Sequence, residues 1–474
     1  MSVALKIDEH IIKIVGVFSY DIKKDIVRFR ASGFESMKIV ELPSDQVLAN
    51  FKMTKSDVVD GTRKSYKNTY YKEFRGLMLT GEGDDNQPVG VEKKAIKPFS
   101  RKKKFQELLK KRDNQGNFIE LPFVTNEQEL FLFPDGIGIF SISVELVENT
   151  IGRASDLTNQ LRSFNTKIFT SKGELEFHKW ITEHVLSGIS FVGDKIEADE
   201  YSGSKFKVYS IFDISEKPES YNRDDLLYEL GTSSRIGTIQ NNDFNSPSSE
   251  YYDLMMNDNK LSAFKNYEGL ALLDSFTVIG TNNLKSLDSN YISYNTWNRT
   301  YFSIYIFNLY VRYNLFRFNA QFIVDPVKYK NKFENFLNHY NFKHISFNFL
   351  PNMIFAKMRV SLGVEDEIEQ FEKRLKNLAQ SIQEQQEKKQ AFLLTLISVI
   401  SAFDAVGPIL DGINNVQHIS GFSPIGFYGL LTIVLLIALN FLIQYLFPLN
   451  YGKHKRKLKK RFEKQNVSNK SKAD

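Results

Sequence analysis

Few titratable side chains stand in groups that could do chemistry. The chain has 474 residues, seven of them histidine and none cysteine, so disulfides, thiolate zinc sites and a cysteine nucleophile are excluded. His178 and His184 are six apart, and His339 and His344 five apart. Neither spacing sets two imidazoles on one helical face, so these read as ordinary surface or hydrogen-bonded histidines. Glu174, Glu176 and His178 could contribute to a metal site, though such clusters arise by chance. There is no phosphate-binding Walker loop, no GxGxxG on a strand–helix turn, no GxSxG and no HExxH. The reading is therefore not an enzyme.

The polar residues that draw attention lie near the carboxyl end. Stepping by seven from Gln383 gives Gln390, Ile397, Asp404 and Asp411, with Gln386, Leu394, Ser401 and Pro408 near the same face. In a symmetric ring of such helices the stripe would line a pore. Gln383, Gln390, Leu394, Ile397, Ser401, Asp404 and Asp411 are then the candidate pore-lining residues. Leu394 and Ile397 would form an apolar constriction, and Asp404 and Asp411 acidic rings. The plainer alternative is that Asp404 caps or kinks a helix broken at Gly407-Pro408.

This stripe needs a membrane to act in. Residues 425–447 are 23 positions without a charge, and 391–410 are a weaker apolar run interrupted by Ser398, Ser401, Asp404, Gly407 and Pro408. About 20 apolar residues cross a bilayer as a helix, so the two predict a transmembrane hairpin. Lys388 and Lys389 flank the first run, and 453–464 is Lys/Arg-rich, whereas 411–424 has neither residue. That asymmetry predicts cytoplasmic termini. The tail holds much of the positive charge, so the remainder is near neutral despite a net +6. Nothing global suggests direct nucleic-acid binding.

Ahead of the hairpin, residues 1–295 read as a cytoplasmic α/β or α+β body. HIIKIVGVFSYD and DIVRFRASGF look like strands, and 81–119 like a mobile basic insert. LFLF-PDG-IGIFSISVEL is the clearest hairpin, with Phe140, Ile142, Val144 and Leu146 facing a core and Ser141, Ser143 and Glu145 facing water. ASDLTNQLRSFNTK reads as a helix, and GTSSRIGTIQNNDFNSPSSE as a Ser/Asn-rich loop. From 296 to 390 the pattern is helical. Phe302, Ile306, Leu309, Tyr313 and Phe316 mark an amphipathic helix. Ile368, Phe371, Leu375, Leu378 and Ile382 form a coiled-coil seam that continues as Phe392, Leu396, Val399, Phe403, Val406 and Leu410. The expected fold is thus an α/β or α+β domain, long helices with a coiled-coil stalk, a two-helix transmembrane hairpin at 391–447 and a basic tail at 448–474.

This organisation over roughly 296–464 resembles the CorA-type magnesium channels. The family's Gly-Met-Asn signature is absent, and the corresponding region reads GPILDGINNVQHISGF. The departure resembles divergent CorA-like antiphage effectors, including those found with type III CRISPR systems. The resemblance implies a homo-oligomer, pentameric by analogy, in a bacterial inner membrane among lipid. It would be gated by a small nucleotide messenger and would permeabilise that membrane in defence. The alternatives are a divalent-cation transporter of the same architecture, with Mg2+ as its ion, and a membrane-anchored binding or scaffold protein without a pore. No resident cofactor is expected.

Overall fold

The computed structural model describes residues 5–38, 40–79, 95–112, 118–170, 173–189, 205–214, 222–242, 246–280, 293–322 and 325–415. It divides into two compact units, 1–380 and 381–474. The first is built on one mixed sheet of eleven strands. These are β1 (Glu9–Ser19), β2 (Glu35–Ser36), β3 (Lys97–Arg112), β4 (Phe118–Leu132), β5 (Ile137–Leu146), β6 (Lys167–Thr170), β7 (Gly173–Glu176), β8 (Lys207–Asp213), β9 (Lys260–Phe264), β10 (Tyr267–Ala271) and β11 (Ser275–Gly280). Their order is β7-β6-β3-β4-β5-β1-β8-β11-β10-β9, with β2 on β3. Neighbours are antiparallel except β8 and β11, which run parallel.

Strand β1 shows why the sheet is central. Side chains alternate between faces with period two, yet β1 is buried on both. Ile11, Val15 and Val17 join one apolar cluster and Ile12, Ile14 and Phe18 the other. The first cluster takes in α3 (Lys55–Thr69), α4 (Lys72–Met78), α9 (Phe302–Phe322), α10 (Pro326–Tyr340), α11 (Phe349–Ser361) and the start of α12 (Val364–Asn415). The second takes in α1 (Asp25–Ala31), α5 (Ile151–Leu161), α6 (Phe177–His184), α7 (Arg223–Thr232) and α8 (Ser249–Asn259). A short helix, α2 (Asp45–Asn50), adds Leu48 to the first cluster. Pairing of β1 with β5 is locked by two reciprocal contacts. Gly16 faces Phe140 and Gly138 faces Phe18. A Cβ at either glycine would lie 2.4 Å from the opposing ring, so both positions require a residue without one.

Several expectations change. Residues 25–31 are helical, because the Asp21 carboxylate accepts from the backbone N–H groups of Lys23 and Lys24 and starts a turn. The Asp135-Gly136 hairpin forms as expected, with Gly136 at φ 84°. However, Ser141 is fully buried, so β5 has no wet face along its first half. The basic run assigned to an insert carries β3, which pairs with β4 along most of its length. The α9 helix is buried nearly all round rather than amphipathic.

The membrane reading is overturned. Among the described residues no helix is long and apolar enough to cross a membrane. The fold class with a transmembrane hairpin, the ion-channel description and the multi-pass inner-membrane location are corrected accordingly. The run 391–410 is the later part of α12, a single 52-residue helix studded with charge from Glu365 to Lys389. The run 425–447 lies outside the described residues. The early seam of α12 serves its own body, since Phe371 stacks on Phe333 with ring centres 3.9 Å apart.

One polar network crosses the first apolar cluster. Lys13, fully buried on β1, donates to Glu129 of β4 at 2.7 Å and to the carbonyl of Asn298 at 3.2 Å. Its ammonium lies 4.1 Å from the Phe302 ring centre. Arg299 reaches both Glu129 and Glu127, the latter at 2.8 Å. Asn298 and Arg299 belong to a π-helical turn, Thr296–Tyr301. Such a turn leaves carbonyls out of the ordinary ladder, and here Tyr209 donates to that of Trp297 at 2.8 Å while Lys13 takes the next. Burial pulls the Lys13 ammonium below its usual range, against the pull of Glu129. Burial pushes Glu127 upward, but Arg299 and then Lys13 outweigh it and hold its carboxyl low.

Removing one member of a buried pair strands the other charge, which costs about 3–5 kcal/mol. Lys13→Met should lower the urea midpoint accordingly, and a change within about 0.5 kcal/mol, as for an ordinary surface site, would contradict this. A depressed carboxylate contributes stability that is present above its ordinary value of 4.5 and lost as pH falls through its folded value. Acid unfolding should therefore begin below that pH and shift upward in Arg299→Met.

Candidate functional site

The candidate pore-lining residues all fall on α12. Gln383, Gln390 and Ser401 are exposed, and Leu394 and Ile397 are 64% and 58% exposed. The Gln383 amide donates to Glu387 at 2.9 Å. Asp404 and Asp411 are helical, but their side chains lie outside the description. A seven-residue step drifts by about 20° per heptad on a straight helix.

Of Glu174, Glu176 and His178, the last two stay together, with His178 Nε2 3.6 Å from the Glu176 carboxylate, but lysines occupy both carboxylates. Glu174 pairs with Lys167, and Glu176 with Lys179 at 2.8 Å. His178 Nδ1 lies 3.0 Å from the carbonyl of Phe164. Among the described residues no three histidines or carboxylates are placed to hold a metal ion.

A different site emerges where α7 ends. Asn222 starts this helix by accepting from the N–H of Asp224 at 3.0 Å. Its last turn is followed by Ser233 in the left-handed region, φ 53°. The carbonyls left at a helix end need donors, and neighbouring elements supply them. Arg162 reaches that of Thr232, Asn159 that of Ser233 at 2.7 Å, the Ser155 hydroxyl that of Ser234, and the Ser275 hydroxyl that of Gly231. The loop beyond folds back onto Glu229, a fully buried carboxylate that accepts from the N–H groups of Gly237 and Ile239, both at 2.9 Å. The carbonyls at the end of α7 are thereby hydrogen-bonded, and the loop is fixed.

Between this loop, α5 and the residue at 205 lies a cavity of about 570 Å³. Three cations line it, Arg162, Lys205 and Arg235, against one acid, Asp156. Arg162 is anchored at its back by Asp274, 3.5 Å away. Burial pushes the Asp274 carboxyl up, but Lys207 and then Arg162 hold it below its usual range. Lys205 and Arg235 are exposed. The hydroxyls of Thr232 and Thr238 are committed to nearby carbonyls. That of Ser233 is not, for it is buried without a hydrogen-bond partner. A buried hydroxyl without a partner costs about 1–3 kcal/mol, and this one belongs to a residue of the cavity wall. The lining contains no histidine and no activated nucleophile.

Sequence reading took this segment as a Ser/Asn-rich loop. The available signal was GTSSRIGT, residues 231–238, with three hydroxyls and an arginine between two glycines and a fourth hydroxyl after them. Arg162 and Lys205 come from distant positions, which no local pattern reveals.

A side chain in the left-handed region is strained, and glycine relieves it. Ser233→Gly should therefore stabilise the fold by about 1 kcal/mol in thermal or urea unfolding. A loss of more than about 1 kcal/mol would show that the hydroxyl serves the fold instead.

No protein-family model matches this chain, and no curated protein or solved structure is similar to it.

Proposed function

We propose that the chain is a binding protein whose body takes up a small phosphorylated molecule, of the nucleotide and sugar-phosphate class, in the Arg162–Lys205–Arg235 cavity. The observation that carries this is a cavity whose charges are three to one cationic, with the uncommitted Ser233 hydroxyl buried in its wall. Arginine suits tetrahedral oxyanions because its planar fork donates two parallel bonds. Here Arg162 is held in place by the Thr232 carbonyl and Asp274, while Lys205 and Arg235 remain open to solvent. The small nucleotide messenger implied by the resemblance falls within this class.

The cavity is large enough for a small ligand, since such sites span about 300–1,000 Å³. Charge-assisted hydrogen bonds contribute about 1.5–3 kcal/mol each, so two or three of them support binding without any enclosing lid. Their exposure makes the affinity sensitive to salt.

Inorganic pyrophosphate is the simplest probe. At about 100 times its dissociation constant it should stabilise the folded chain by about 2.7 kcal/mol, visible as a saturable rise in melting temperature. Arg235→Glu should abolish the rise while leaving the melting temperature of the free protein unchanged, because the replaced side chain is exposed. About 1 M salt should weaken it, the screening length there being about 3 Å. An equal rise in wild type and variant, or no rise at all, would overturn the proposal.

A further inference from the structure

We infer that the cavity resting on the π-helical turn is a second binding site, for a neutral polyhydroxylated molecule of the saccharide class. It lies with α3 and the start of α11 on the side of the first apolar cluster, whereas the phosphate cavity lies with α5 and α7 on the other. Its volume is about 590 Å³.

The lining contains no Asp, Glu, Lys, Arg or His. Hydroxyls come from Ser65, Tyr66 and Thr69 of α3, from Tyr70 beside it, and from Thr296, Thr300 and Tyr301 of the π-helical turn. Burial pushes the phenols of Tyr66, Tyr70 and Tyr301 above their usual range, so they stay neutral. Tyr66 and Thr300 share a hydrogen bond of 3.0 Å, which holds α3 against the turn. At the rim, Phe347 and Phe349 are 62% and 64% exposed, and Phe347 is steadied edge-on by Tyr71 with ring centres 4.5 Å apart.

Each feature narrows the ligand. A charged molecule would lose its water and find no counter-charge here. A wholly apolar one would make no use of a wall lined with hydroxyls and would displace the water that hydrates them. A sugar ring offers alternating donors and acceptors to such a wall and a C–H face to exposed aromatic rings. The turn itself is braced from behind by Tyr209 and Lys13, which hold the carbonyls of Trp297 and Asn298. Its hydroxyls are thus presented from a rigid base, in keeping with the frequent placement of π-helical turns at functional sites.

The test is saturation-transfer NMR on the full chain with cellobiose, maltose and lactose, and with adenosine as the aromatic comparator. At about 10 mM, enough to detect binding near 4 kcal/mol, at least one disaccharide should give transfer to its ring C–H protons. Phe349→Ala, at an exposed site, should weaken that affinity about tenfold, equivalent to about 1.4 kcal/mol. Thr300→Val should weaken it with little change of shape, and Arg235→Glu should leave it intact. No transfer to any of the three sugars, transfer to adenosine alone, or equal transfer in the Phe349 and Thr300 variants would overturn the inference.

Discussion

The buried ion network of Lys13, Glu129, Arg299 and Glu127 is the constraint on which the rest of the body depends. It brings charge into the middle of a sheet face that is otherwise apolar, and it does so where β1, β4 and the π-helical turn meet. Taking ions out of water is costly, and the cost is met only when every partner is in place. The network therefore fixes register and position together. It specifies which strands lie side by side and where the chain entering α9 must sit. Glu41 extends it toward solvent, paired with Lys102 at 2.6 Å. The Asn295 amide clasps the backbone of Glu41 with two bonds of 2.9 Å. The π-helical turn is thus held by side chains from β1, β8 and the segment before α2.

The other sheet face uses a different device for the same end. There the polar groups belong to the end of α7 and the loop after it, and they are satisfied by uncharged donors from α5, by Arg162 and by the buried Glu229 carboxylate. Because the helix carbonyls are already occupied, the positive charge nearby is not spent on them alone. Lys205 and Arg235 stay open, and the Ser233 hydroxyl stays unpaired. Rigid satisfaction of the backbone is what leaves a surplus of cationic groups facing one cavity. Ordered scaffolds carry binding residues on connecting segments in this way.

What sequence reading could see was local and periodic. Strand β1, the Asp135-Gly136 hairpin and α5 were legible from alternation, turn chemistry and helical spacing. Residues 25–31 were not, because Ile26, Val27 and Phe29 favour strands, while the deciding contacts are the turn bonds to Asp21. The second covered face of β5 was invisible because a small buried serine and an exposed one look alike in sequence. The helix α12 misled most. Its seam reads the same whether it packs against another copy or against its own body, and Phe371 in fact packs on Phe333. Its apolar run at 391–410 suggested a membrane span, yet it continues a charged helix, and no described helix meets the requirement for crossing. The cavity at 162, 205 and 235 joins residues up to 73 positions apart, and only the fold brings them together.

The central claim is that the loop after α7 is a ligand-binding element. Hydrogen–deuterium exchange of the full chain, with and without saturating pyrophosphate, tests it most directly. The account predicts slower exchange confined to peptides covering 231–242 and the neighbourhood of Arg162 and Lys205, with the Lys13–Arg299 region unchanged. Protection elsewhere, with none in 231–242, would contradict it.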